Sequence, residues 1–280
     1  MPKTAYTDFC HHMYDLVQRI NEFSKEKVQP AIARLRDDKS RIDPNRDAAI
    51  FATYIRLSLW SNSLQRLNKT ADIQAVGTGA RCIFEHYIDI AWLCLLTDAN
   101  TIEQFKAFPN IDRYHAAQKI ILHKRKCANS TFDTRPHEEW VTQMESQSEP
   151  VANKVGRLWG TKGEGIPKWP RFHWTGIRDL SERSDKLGLE YLDEYYQIYT
   201  IFSSLVHAGP TAFVHHDFSK LELNIGYAYF KSFQYFLSSI VLAVDHLRIK
   251  ETIPSYDEIV AQMKDWLKQD LHRLISANQK

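Results

Sequence analysis

Residues 80–93 read ARCIFEHYIDIAWL, a segment apolar enough for a core helix that nonetheless holds Arg81, Glu85, His86 and Asp89. At about 100° per residue, Arg81, Glu85 and Asp89 share an arc of about 80°. Ile83, Phe84, Tyr87, Ile90, Ala91 and Cys94 take the opposite side. Arg81 and Glu85 are i,i+4 neighbours and can pair directly. A solvated charged face would be the simplest outcome, but Trp92 and Leu96 continue the same stripe. A stripe that ends in Trp and Leu faces other helices, so Arg81–Glu85 is expected to line a cleft or lie buried. Such a pair is costly unless its hydrogen bonds are satisfied.

The same 3.6-residue period recurs along the chain. Phe9, Leu16, Val17, Ile20 and Phe23 mark a first helix over 5–28, which Pro30 is expected to close. Asp43-Pro44 supplies an N-cap with proline at the first helical position of a second helix, to about residue 68. The third covers about 71–97. A fourth starts near Thr101, whose Thr-x-x-Gln resembles a capping box, and reaches about 127 with a bend at Pro109. A polar helix over 137–158 precedes GTKGEGIPKWPRFHW (160–174), which reads as a surface loop. Helices resume at 176–187, with Gly188 as the C-cap, and continue over 189–206, 221–249 and 255–277. Period-two alternation is missing. The expectation is an all-α single-domain bundle of seven to nine helices spanning 1–280, with 128–172 as an irregular insert.

Composition sets outer limits. With 44% hydrophobic and 25% charged residues the chain is of ordinary globular composition. A net charge of +2 argues against a nucleic-acid scaffold. The four cysteines, at 10, 82, 94 and 127, form no CxxC pair and no disulfide framework. The apolar run FQYFLSSIVLAV (233–244) is too short to span a bilayer, and the N-terminus lacks a secretory h-region. A cytoplasmic protein without membrane association is expected. Adjacent histidines, HH at 11–12 and HHD at 215–217, diverge on helix or strand, so neither a metal site nor a cofactor is expected.

Two further constellations carry chemistry. In YYQIYTIFSSLVHAGP, Tyr195, Tyr199, Ser203 and His207 follow at i, i+4, i+8 and i+12. They are either core hydrogen-bonding groups or a pocket wall in which His207 is acid–base and Ser203 positions a substrate. In KWPRFHWTGIRDL, Trp169, Arg171, His173 and Trp174 precede a helix N-terminus, a setting for base stacking and phosphate contact. Equally, Trp174 plugs the loop onto the bundle.

These stretches, in this order, resemble a bacterial family known as domain of unknown function 5677. Its pattern joins an Arg-x3-Glu helix to a downstream Trp-x-Gly, a run ending in Leu-Gly-Leu, and a Ser-x3-His near a proline. Here they are Arg81/Glu85 and WTGIRDLSERSDKLGLEYLDEYYQIYTIFSSLVHAGP. The resemblance spans about 45–250, with the polar stretch near 128–168 as a departure. It implies that Arg81, Glu85, Trp174, Ser203 and His207 belong to one site. Arg81-x4-His86 also fits the Arg-x(4–6)-His pattern of HEPN ribonucleases, which cleave RNA without metal at a homodimer interface. The offset places His86 about 140° around the helix from Arg81, so convergence would need a helix end, a bend or a second subunit.

Two functions follow as expectations. One is a metal-independent endoribonuclease in phage defence, with His207 or His86 as base, Arg81 on the phosphorane and Glu85 as orienter. Trp174, Arg171, Ser203 and Tyr199 would bind substrate. The other is a non-catalytic helical module for a small ligand or a partner protein.

Overall fold

In the computed structural model, residues 5–35, 41, 43–67, 69, 72–96, 99–127, 129, 131, 133–170, 173–206 and 218–278 are described. Among them the protein is all-α. The helices are α1 (Ala5–Phe23), α2 (Gln29–Arg34), α3 (Pro44–Leu64), α4 (Ile73–Leu95), α5 (Ala99–Lys126) and α6 (Arg135–Glu145). They continue as α7 (Val151–Trp159), α8 (Leu180–Leu187), α9 (Leu189–Val206), α10 (Phe218–Leu247) and α11 (Tyr256–Asn278). Counting α1 through α2 as one rod, ten helices are described, one above the upper expectation of nine. The extra one arises where a single helix was read over 137–158. Pro150 cannot donate a ladder hydrogen bond, and the chain breaks into α6 and α7 around it.

Pro30 does not close the first helix. A π-helical turn at Ser24–Val28 precedes it, with the Gln29 N–H bonded to the Ser24 carbonyl five residues back. This wider turn makes room where the proline ring would press on the preceding turn, and helix continues to Arg34. The Thr101 capping box is also absent: α5 begins at Ala99, and Gln104 instead donates to the Leu158 carbonyl (2.5 Å). α5 then runs through Pro109 to Lys126. At α3 the expected start holds, since Asp43 accepts from the Arg46 N–H (3.1 Å) and Pro44 follows it. Gly188 separates α8 from α9 at φ +133°, its N–H bonded to the Ser184 and Asp185 carbonyls.

The chain divides into two compact units, Met1–Leu96 with Ser184–Lys280, and Thr97–Arg183. In the first, α4 is central and packs on α3, α9 and α10, while α1 covers α10. Its buried face carries Ile83, Phe84, Ile90 and Ala91, all fully buried as the periodicity requires, and Ile88, which the periodicity sets beside Arg81, is fully buried as well. On α10, Phe84 meets Tyr235 at 5.0 Å, and Phe233, Phe236 and Ile240 of the same helix are fully buried. In the second unit, α5, α6 and α7 enclose Ile111, Tyr114, Met144, Val155, Leu158 and Trp159. Among the described residues no helix is long and apolar enough to cross a membrane.

Candidate functional site on the central helix

α4 and α9 run antiparallel, with Arg81 opposite Tyr199 and Tyr87 opposite Tyr191. The Arg81 Nε donates to Glu85 Oε1 at 3.0 Å, and both side chains are partly exposed, at 23% and 36%. The guanidinium carbon lies 4.6 Å from the Tyr199 ring centroid. Tyr199 in turn stacks on Tyr195 (4.9 Å, 28°), and Tyr195 meets Tyr196 edge-on at 5.2 Å. The charged stripe of α4 therefore faces a helix, as Trp92 suggested, and is neither a fully solvated face nor a sealed pair. The tyrosine stripe of α9 forms a ladder that leads from this guanidinium to solvent-exposed Tyr196.

His86 takes a different direction. Its Nδ1 lies 3.9 Å from Asp89 Oδ2, with both side chains about 15% exposed. Along α4, Arg81 is hydrogen-bonded to Glu85, whereas His86 Nδ1 comes near Asp89 without a hydrogen bond. Burial pushes the neighbouring Cys82 thiol up to about 11, which disfavours the thiolate.

Sequence reasoning missed a second polar cluster, where α9 meets α10. Lys231 is 5% exposed and its Nζ reaches Glu194 Oε2 at 2.7 Å and Gln197 Oε1 at 3.2 Å. Glu194 also accepts from the Tyr235 hydroxyl (2.5 Å) and from Gln234 Nε2 (3.2 Å). Tyr87 stacks on both Tyr191 (5.5 Å) and Tyr235 (5.3 Å), which covers the network with aromatic rings. Burial, and then the Glu194 charge, hold the Tyr235 hydroxyl well above its ordinary pKa, so it stays a donor. The available signal was a lone lysine inside the apolar run YAYFKSFQYFL (227–237).

The other predicted residues separate. Trp174 lies in the second unit, 5% exposed, edge-on to Phe105 at 5.4 Å, and its carbonyl accepts from Trp159 Nε1 at 2.7 Å. It plugs the loop, the plainer of its two readings. Trp169 stacks on Tyr114 and His115. His173 is buried and bonds Thr175. The next helix starts only at Leu180, because Gly176 turns the chain at φ +73°, so no helix N-terminus follows Trp174 directly. Ser203 sits in α9 four residues beyond Tyr199. Its side chain, Arg171, His207 and the HHD motif lie outside the described residues. Among the described residues no three His, Cys, Asp or Glu side chains gather as metal ligands would.

Among the described residues the protein is all-α, with an Arg–Glu pair on a central helix beside an aromatic ladder. The chain belongs to the family described as a family of unknown function (DUF5677), which matches residues 47–224. That span takes in Arg81, Glu85, Tyr199 and Glu194 but stops short of Lys231 and Tyr235. Neither a curated protein nor a solved structure matches the chain.

Proposed function

We propose that the α4–α9 face is an RNA-directed site and that the protein is a cytoplasmic, metal-independent endoribonuclease, with a role in phage defence that rests on the looser HEPN resemblance. The observation that carries this reading is Arg81 seated on Tyr199 and braced through Nε by Glu85. Glu85 occupies Nε and leaves the two Nη groups for a phosphate, where guanidinium geometry is at its best. The tyrosine ladder offers bases a stacking surface, a mode that tolerates any sequence. In this reading His207 or His86 takes the proton from a ribose 2′-OH, and Arg81 neutralises the phosphorane. A homodimer would supply the convergence that His86 lacks within one chain. With a net charge of +2, binding draws on stacking and on about one or two phosphate contacts, giving a shallow salt dependence.

The test is incubation of the purified protein with total RNA in the presence of chelator. Wild type is expected to cleave, and Arg81→Ala to lose on the order of 10²-fold or more in rate. Loss with His207→Ala but not with His86→Ala would assign the base. Absence of cleavage by wild type ends the nuclease reading.

A second reading, a non-catalytic module binding a small ligand or a partner protein, draws support from the engagement of acids and bases on α4 and α9 with one another. Glu194 is occupied by Lys231, Tyr235 and Gln234, and His86 lies beside Asp89. RNA bound but left intact, with affinity lost in Arg81→Ala, would favour it.

A further inference from the structure

α4 packs on both α9 and α10, and side chains join those two flanking helices to each other. From α10 the Lys231 ammonium reaches Glu194 at 2.7 Å and Gln197 at 3.2 Å, two α9 residues nearly one turn apart. The Tyr235 hydroxyl donates to the same carboxylate, and its ring stacks on Tyr87 of α4. Glu194 thus ties α9 to α10 directly and to α4 through the Tyr235 ring. Tyr227, one turn before Lys231, stacks on Phe202 of α9 at 6.2 Å. These attachments bracket residues 194–202, the stretch that carries Tyr195 and Tyr199.

Stability alone does not call for a lysine at 231. Its side chain is 6% exposed, and an apolar residue of similar length would fill the space without desolvating a charge. What an ion pair imposes, and an apolar contact does not, is direction and register. A slip of α9 by one residue moves each side chain about 1.5 Å along the helix and about 100° around it. Such a slip would carry Tyr199 off the Arg81 guanidinium, which lies 4.6 Å from its ring centroid. We propose that Lys231, acting through Glu194 and Gln197, is a positioning residue that fixes the register of α9 and so keeps Tyr199 against Arg81. Its functional consequence rests on the reading of this face as the RNA-directed site, whereas the positioning itself is a property of the unliganded chain. Lys231 also extends the site beyond the matched family span, 47–224.

The test reads Tyr199 first without RNA and then with it. In full-length protein labelled with 3-fluorotyrosine, the Tyr199 fluorine resonance is assigned by its loss in Tyr199→Phe. It should move in Arg81→Ala, because the cation leaves the ring. Lys231→Met is expected to shift or broaden it as well, and Gln197→Ala, at an exposed residue, to do so by less. Ile240→Val, a change at a fully buried residue of the same helix, matches a general loosening of the core and should leave the resonance in place. With a short single-stranded 2′-O-methyl RNA, Lys231→Met should bind about fivefold or more weakly, the lower end of one stacking contact. Lys231→Met/Tyr199→Leu should bind less than about twofold more weakly than Tyr199→Leu alone, because both changes remove the same contact. A resonance unmoved in Lys231→Met, an equal shift in Ile240→Val, or RNA losses that simply add would each overturn the proposal. If wild type binds no RNA, the RNA reading falls, and the resonance decides by itself whether Lys231 positions Tyr199.

Discussion

Glu194→Ala is expected to destabilise the protein by about 3 kcal/mol, the low end of what breaking a buried ion pair costs. The low end applies because the Glu194 side chain is 22% exposed while Lys231 is 6% exposed. Truncation leaves a buried ammonium beside Tyr227 and Tyr235 with only the neutral Gln197 as acceptor, and leaves the Tyr235 hydroxyl without its acceptor. Lys231→Met should cost less. It removes the charge that needs a partner, and Glu194 keeps its bonds from Tyr235 and Gln234. In the double variant Glu194→Leu/Lys231→Met, much of the loss should return, as apolar replacement of buried pairs generally allows. Urea denaturation followed by circular dichroism measures all three. A Glu194→Ala cost below about 1 kcal/mol would mean that the pair behaves as a surface bridge.

Gly176→Ala is expected to cost roughly 2–4 kcal/mol, combining a left-handed backbone with overpacking. The residue sits at φ +73°, and an added Cβ would come within 2.8 Å of Trp159 Cδ1. The indole cannot swing aside freely, since its Nε1 is bonded to the Trp174 carbonyl and its ring is part of the core of the second unit. Four of the seven tryptophans, at 140, 159, 169 and 174, lie in that unit, so intrinsic fluorescence reports it well. Alanine at the exposed Gly163, where a Cβ meets nothing within 4 Å, is the matched control. Equal stability of the two variants would show that the Trp159–Gly176 contact yields without strain.

Much of the architecture is legible where local rules act alone. Asp43-Pro44 starts α3 and Gly188 ends α8, because capping and positive φ are decided within a few residues. Pro30 misleads, since a π-turn several residues earlier changes what proline does, and nothing in SKEKVQP announces that turn. The late start of α8 likewise depends on Trp159 closing over Gly176, a contact seventeen positions away. At the site, the i,i+4 rule yields Arg81–Glu85, and Trp92 points the stripe toward another helix. Tyr199 follows from the α9 stripe. Glu194 and Lys231 stand 37 residues apart on two helices, and their pairing is a product of packing that no periodicity encodes. The Trp-x-Gly motif was grouped with Arg81 by resemblance alone, whereas the structure gives its tryptophan a packing role within the second unit.

The surface formed by Arg81 and the α9 tyrosines is proposed to bind RNA. Its most direct test is fluorescence anisotropy with a short single-stranded 2′-O-methyl RNA, which cannot be cleaved through the 2′-oxygen. Wild type, Arg81→Ala, Tyr199→Leu and, as an exposed control on α3, Leu59→Ala would be compared at fixed salt. Loss of one stacking or phosphate contact of about 1–3 kcal/mol predicts roughly 5- to 150-fold weaker binding for Arg81→Ala and for Tyr199→Leu, with Leu59→Ala unchanged. Equal affinity across all four proteins, or no binding by wild type, would contradict the account.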